Sequence, residues 1–87
     1  MTYTVEISPA AQRQIKKLTL SIQSQITEAL AELELAPRPQ GVQKMSGEEN
    51  FYRVRVGEYR IIYAIDDLVL IVVVVKVGHR REIYRRG

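Results

Sequence analysis

Cysteine is absent from this chain, and histidine occurs once, at His79. The first absence excludes disulfides and thiolate metal sites, and a small domain without such staples suits a reducing compartment such as the cytoplasm. The second excludes a metal centre built on paired imidazoles and a catalytic histidine pair. Ser8, Ser21, Ser24 and Ser46 sit beside no histidine in the expected layout, and neither a glycine-rich phosphate loop nor a dinucleotide fingerprint occurs. The longest apolar run, Leu68 to Val75, is far short of a membrane span. The opening MTYTVEISP lacks the basic head and apolar core of a signal peptide, so no leader and no membrane insertion are predicted.

Apolar residues make up 46% of the 87 positions, enough for a core within one domain spanning 1–87. The net charge of +3 hides an asymmetry. Residues 1–49 carry five Lys/Arg against six Asp/Glu, whereas residues 50–87 carry eight against four. Seven of those eight cations are arginine, whose guanidinium forks onto phosphate oxygens. The C-terminal half is therefore expected to hold a polyanion, RNA above all.

Alternation of Tyr3, Val5 and Ile7 with Thr4 and Glu6 predicts a half-buried strand over Thr2 to Ile7. Ser8-Pro9 then reads as a helix start, because the serine oxygen can satisfy free amides and proline has none to lose. Ile15, Leu18, Ile22, Ile26, Ala29, Leu30 and Leu33 recur at helical spacing as far as about Ala36, with a break into two helices near Thr19. Pro37-Arg38-Pro39 ends the second helix, and a short edge strand is expected near Val42 to Met45. Three strands follow, Phe51 to Val56, Tyr59 to Ile65 and Leu68 to Val77, with two-residue breaks at Gly57-Glu58 and Asp66-Asp67. The fold class is α+β, two helices from the N-terminal half packed on a small twisted antiparallel sheet in the order β-α-α-β-β-β-β. The nearly all-apolar run of Leu68 to Val77 calls for a central strand covered on both faces.

A two-residue loop at Gly57-Glu58 sets Val56 opposite Tyr59, Arg55 opposite Arg60 and Arg53 opposite Ile62. Alternation then places Arg53, Arg55 and Arg60 on one face. Opposed like charges destabilise an antiparallel pair by up to about 1 kcal/mol, a repulsion that a bound anion would offset. The plainer alternative is that strand arginines keep a solvated face soluble. With a matching loop at Asp66-Asp67, Val73 pairs with Arg60, and odd-numbered residues share the arginine face until a bulge at Gly78 disturbs the phase. The spacing leaves open whether Arg80 or Arg81 points inward. Tyr84 follows as a core anchor or a stacking surface for a base, and His79 as a surface residue or phosphate contact.

The segments ISPAAQRQIKKL, FYRVRVGEYRIIYAIDD and VVKVGHRREIYRR together resemble the RelE/ParE superfamily of bacterial toxin-antitoxin modules. YRVRVGEYRIIY and VGHRREIY are similar to the RelE branch in order and spacing. That resemblance implies a ribosome-dependent endoribonuclease that cuts mRNA in the ribosomal A site by attack of the RNA's own 2′-hydroxyl, with neither metal nor cofactor. Arg53 and Arg55 would contact the RNA backbone, Arg60 would assist the phosphate and leaving group, Arg80 would stabilise the transition state, and Tyr84 would stack on the substrate. His79, Arg81 and Arg85 would add RNA contacts. Guanidinium groups suit charge stabilisation but not proton transfer, given a pKa above about 12, so the general base stays unidentified unless His79 moves the proton. The family also implies a cognate RelB-like antitoxin, for which exposed apolar surface near Leu68 to Val75 would suit, and a hetero-oligomer that binds operator DNA through the antitoxin. The alternatives are a ParE-like DNA gyrase inhibitor of the same fold and an RNA-binding module without catalysis.

Overall fold

A computed structural model describes residues 2–45, 47 and 50–83. The chain runs β1 (Thr4–Ile7), α1 (Pro9–Lys16), α2 (Leu20–Leu35), β2 (Gln43–Lys44), β3 (Phe51–Val56), β4 (Tyr59–Asp66) and β5 (Ile71–His79). The helix break falls where the sequence places it. Ser8 Oγ accepts the Ala11 amide at 3.1 Å, and Thr19 Oγ1 accepts the Ile22 amide at 3.3 Å, so each helix opens on its own hydroxyl cap.

The described strands form one sheet in the order β1-β5-β4-β3-β2. Three of its pairings are antiparallel, as expected, while β1 lies parallel to β5, a pairing that the two intervening helices allow by crossing over one face. That face holds the core. Ile26, Leu30 and Leu33 of α2 and Ala11 of α1 pack against Ile61, Tyr63, Ile65, Val72, Val74 and Val77. β5 is an interior strand, between β1 and β4, and its two faces are buried to different depths. Val72, Val74 and Val77 are buried beneath the helices, while Ile71, Val73 and Val75 are only half-buried. The apolar run of β5 thus reflects a deep face under the helices and a shallower face opposite, where among the described residues Ile83 of the terminal turn meets Gly78.

The first hairpin matches the sequence reading at every pair, with Val56 opposite Tyr59, Arg55 opposite Arg60 and Arg53 opposite Ile62. Gly57, at φ 58, stands at the loop's first central position, where the hairpin twist calls for a positive φ and glycine adopts one without strain. The second hairpin departs from it. Asp66 pairs with Ile71, so the loop is the four residues from Asp67 to Leu70 and not Asp66-Asp67. Asp66 uses its carboxylate to accept the Leu68 amide at 3.0 Å, and Leu70 takes a left-handed φ of 58. Leu68 and Val69, read as strand, are exposed loop residues, 96% and 58% accessible.

This longer loop moves the register. Val73 lies opposite Ala64, and the partner of Arg60 is Gly78. The bulge is also earlier than expected: the register shifts between Ile62 and Tyr63, whose partners are Lys76 and Val74, leaving Val75 as the extra residue. Without it, Lys76 would point into the core, and the bulge instead buries Val77 and turns Lys76 outward. The Val77 amide is taken up by Gln14 Oε1 at 2.7 Å, so α1 helps to hold the bulge. Gly78 has a different task. A Cβ there would approach Ile83 Cδ1 to 3.3 Å, so the terminal turn packs closely on β5 at this glycine.

Candidate nucleic-acid interface

Strand alternation leaves the face away from the helices to Arg53, Arg55, Arg60 and Ile62, and the register on β5 adds Lys76 and Gly78. Arg55 and Arg60 stand directly opposite each other at the outer end of the first hairpin. A cleft of about 680 Å³ opens over them, lined by Gln40, Gly41, Gln43, Arg53, Arg55 and Arg60. Arg53 donates from Nη2 to Gln43 Oε1 on the neighbouring edge strand. Arg60 Nη1 donates to its own hairpin, to the carbonyls of Gly57 at 3.3 Å and Tyr59 at 3.1 Å.

The chain beyond β5 turns back over the same hairpin. Glu82 and Ile83 donate their amides to the His79 carbonyl, at 2.8 and 2.9 Å, closing a tight turn, and the Ile83 side chain is buried. The Arg80 amide donates to the Glu58 carbonyl at 2.8 Å, and Arg80 Nε meets Glu58 Oε2 at 2.6 Å. Arg80 is therefore the member of the arginine pair that is fastened to the hairpin tip. Arg81 is exposed.

His79 lies elsewhere. It is the partner of Tyr59, on the helix side of the sheet, where its ring meets Tyr59 edge-on with centroids 5.5 Å apart. Its Nδ1 accepts the Arg81 amide at 3.1 Å. The strand arginines Arg53, Arg55 and Arg60 thus lie on the face opposite His79. Tyr84 and Arg85 lie outside the described residues.

One residue of this face was missed. Lys76 stands opposite Ile62, and its Nζ donates to the Ile83 carbonyl at 2.9 Å, tying the terminal turn to β5. The run of valines around it gave no hint of its direction, because only the bulge decides which face it joins.

A second charged group sits at the other end of the sheet. Asp67 accepts a two-pronged contact from Arg38, at 2.8 and 3.2 Å, and the Tyr3 hydroxyl at 2.6 Å. Arg38 also lies over the Tyr52 ring, 5.1 Å from its centroid. The Arg38 guanidinium first, and the Tyr3 hydroxyl with it, hold the Asp67 carboxyl down at about 2. Next to this group, burial pushes the Tyr63 phenol up to about 12, and its hydroxyl donates to the Pro37 carbonyl at 2.7 Å.

The comparisons agree with the architecture. A family model described as ParE toxin of type II toxin-antitoxin system, parDE, matches residues 5–84. Toxin RelG of Mycobacterium tuberculosis is 36% identical over 87 residues, which take in 99% of this chain and all of that protein. The chain is similar to a solved RelE-RelB complex from Pyrococcus horikoshii, with a TM-score of 0.83, 28% identity, and 94% and 99% of the two chains covered. It is also similar to the toxin-antitoxin complex RelBE2 of Mycobacterium tuberculosis, with a TM-score of 0.81, 30% identity, and 92% and 100% covered.

Proposed function

Because this chain belongs to the ParE toxin family of type II toxin-antitoxin systems, within the RelE/ParE superfamily, we propose that it poisons translation by cutting mRNA on the ribosome. The observation that carries this reading is the gathering of Arg53, Arg55, Arg60 and Arg80 at one hairpin: opposed arginines are a cost to a sheet unless an anion joins them. A single-stranded phosphate backbone is the anion that a basic cleft open at the sheet edge would follow.

In this reading Arg53 and Arg55 hold the backbone on either side of the scissile phosphate, and Arg60 and Arg80 face the phosphate itself. Guanidinium donors placed where charge develops in the transition state stabilise the five-coordinate phosphorus without a metal. Tyr84 stacks on a base, and Arg81 and Arg85 meet neighbouring phosphates. A RelB-like antitoxin, of the kind seated on the Pyrococcus horikoshii relative, would silence the protein, and the exposed Leu68 and Val69 offer it apolar surface. Such a complex would bind operator DNA through the antitoxin and work in the cytoplasm, where its target is.

The test is primer extension on a reporter mRNA in a purified translation system, with wild type and Arg80→Ala, with and without ribosomes. Cuts that require both the wild-type arginine and ribosomes support the reading. The second reading draws on the ParE name of the matching family: a protein-protein inhibitor of DNA gyrase, which would leave mRNA whole while plasmid relaxation stops. RNA bound without cleavage, with an affinity that falls steeply with salt, would instead indicate a binding module.

A further inference from the structure

The arginines of this site cannot by themselves serve as proton acceptors. Attack by a 2′-hydroxyl needs one, and arginine, whose pKa exceeds about 12, is a poor choice. His79 lies on the opposite face with Nδ1 engaged by the Arg81 amide. Lys76 uses its ammonium as a donor to Ile83. Asp66 and Asp67 lie at the far end of β4. Among the described residues, Glu58 is a carboxylate that touches a site arginine, at 2.6 Å from Arg80 Nε.

We propose that Glu58 is the general base of this site; the inference rests on the RNA-cleaving reading. Two backbone-anchored residues are involved, since the Arg80 amide donates to the Glu58 carbonyl at 2.8 Å, so carboxylate and guanidinium are brought together by the fold and not by side-chain chance. Both side chains remain accessible, 63% for Glu58 and 52% for Arg80, and an accessible ion pair exchanges readily for a phosphate. A 2′-oxygen poised for attack lies about 3–3.5 Å from its phosphorus. When the phosphate takes the Arg80 guanidinium, the hydroxyl next to it comes within reach of the carboxylate that the same guanidinium held.

The step balances as follows. Glu58 takes the 2′-hydroxyl proton, the freed electron pair forms the O2′–P bond, and the P–O5′ bond breaks with its electrons on the 5′-oxygen. Water protonates that oxygen, and the hydroxide left behind takes the proton from Glu58. The products are a 2′,3′-cyclic phosphate and a 5′-hydroxyl. The charged and titratable groups around Glu58 are Arg80 from the terminal turn, Arg60 of the same hairpin, and the Tyr59–His79 pair beside it.

The test compares wild type, Glu58→Gln, Glu58→Asp and Arg80→Ala for single-turnover mRNA cleavage on programmed ribosomes across pH, alongside binding to the same complexes and thermal melting. Glu58→Gln is expected to melt like wild type, bind as well or better, and cut about 10²–10⁴-fold more slowly, with the rise in rate from acid to neutral pH abolished. Glu58→Asp should recover part of the rate and keep that rise. A glutamine variant that cuts within a few-fold of wild type, or that keeps the acid limb while slowed, overturns the proposal and leaves Glu58 a holder of Arg80. An aspartate variant no faster than glutamine also counts against it. If wild type cuts nothing, the ribonuclease reading falls and takes this inference with it; if wild type cuts and Arg80→Ala does not, the reading stands whatever Glu58 does.

Discussion

The two hairpins of the sheet share β4 and are built on opposite principles. The β3–β4 hairpin has a two-residue loop, sets Arg55 against Arg60, and draws Arg80 to its tip through Glu58. The β4–β5 hairpin has a four-residue loop and answers its charge at once, with Asp67 clasped by Arg38 and Tyr3. One end of the sheet sets like charges opposite each other, Arg55 against Arg60, and the other pairs unlike charges into a clamp joining the residue before β1, the β4–β5 loop and the segment before β2. Repulsion retained in one place and satisfied in another separates a surface kept for a ligand from one kept for the fold.

The sharpest way to break that contrast is to remove cations from the first hairpin. Arg60→Ala and Arg80→Ala are each expected to lower the rate of mRNA cutting by about 10²–10³-fold, the loss usual for one donor to a developing oxyanion. Their melting temperatures should match or exceed that of wild type, because Arg60 leaves a site of like charge and Arg80 is exposed. A variant that keeps its activity, or loses it by unfolding, would erase the functional side of the comparison.

The second hairpin end should show the reverse pattern. Tyr63→Phe removes the hydroxyl that donates to the Pro37 carbonyl in the buried layer, and an orphaned buried acceptor costs about 1–2 kcal/mol. Urea unfolding should lose that much stability, read as a lower midpoint with the slope unchanged, while cutting per folded molecule stays at the wild-type rate.

How far the sequence disclosed this division follows from the turn chemistry of each loop. Gly57 in a two-residue loop fixes one register, and from it the arginine face could be built pair by pair. Asp66-Asp67 looks like an equally short loop, but Asp66 can close a turn with the Leu68 amide and Asp67 is engaged by residues 29 and 64 positions away. Those partners are tertiary, so the loop length was not legible locally. The bulge was hidden for the same reason: a run of valines has no phase, and only burial of Val77 against the expulsion of Lys76 assigns one. The unequal depth of the two faces of β5 was equally silent, because half-buried and buried valines read alike. The helices, in contrast, announce themselves through Ser8-Pro9 and Thr19, whose caps are local.

A milder substitution sharpens the first hairpin without disabling it. Arg55→Gln relieves the pairing with Arg60 and is expected to stabilise the fold by up to about 1 kcal/mol. The same variant should bind single-stranded RNA more weakly, with the salt dependence reduced by roughly one phosphate contact. Chemical denaturation and a salt titration of binding on the same sample would show the trade. If stability falls, Arg55 contributes to the fold and the hairpin's charges are not held in reserve.

The smallest effect concerns acid and belongs to the clamp. An unfolded aspartate titrates near about 3.9, whereas Asp67 in the fold is held at about 2. Its folded value is depressed, so the folded state binds its proton later than the unfolded one. Between these two values the unfolded chain takes up the proton first, and protonation favours unfolding. The clamp's stabilisation is thus fully present above about pH 4 and is lost as the pH falls toward 2. The pair is half-exposed, with 41% and 53% of the Arg38 and Asp67 side chains accessible, so solvent and salt screen it and the loss will be modest. Asp67→Asn keeps the shape and removes the titration, which isolates it. Wild type and variant should therefore differ in melting temperature at pH 6 and converge toward pH 2. The Arg60→Ala protein should follow wild type throughout, because nothing at the first hairpin depends on this carboxylate. Convergence at acid pH in both variants would mean that the two ends of the sheet are coupled, and the division between a ligand-facing hairpin and a fold-holding one would have to be given up.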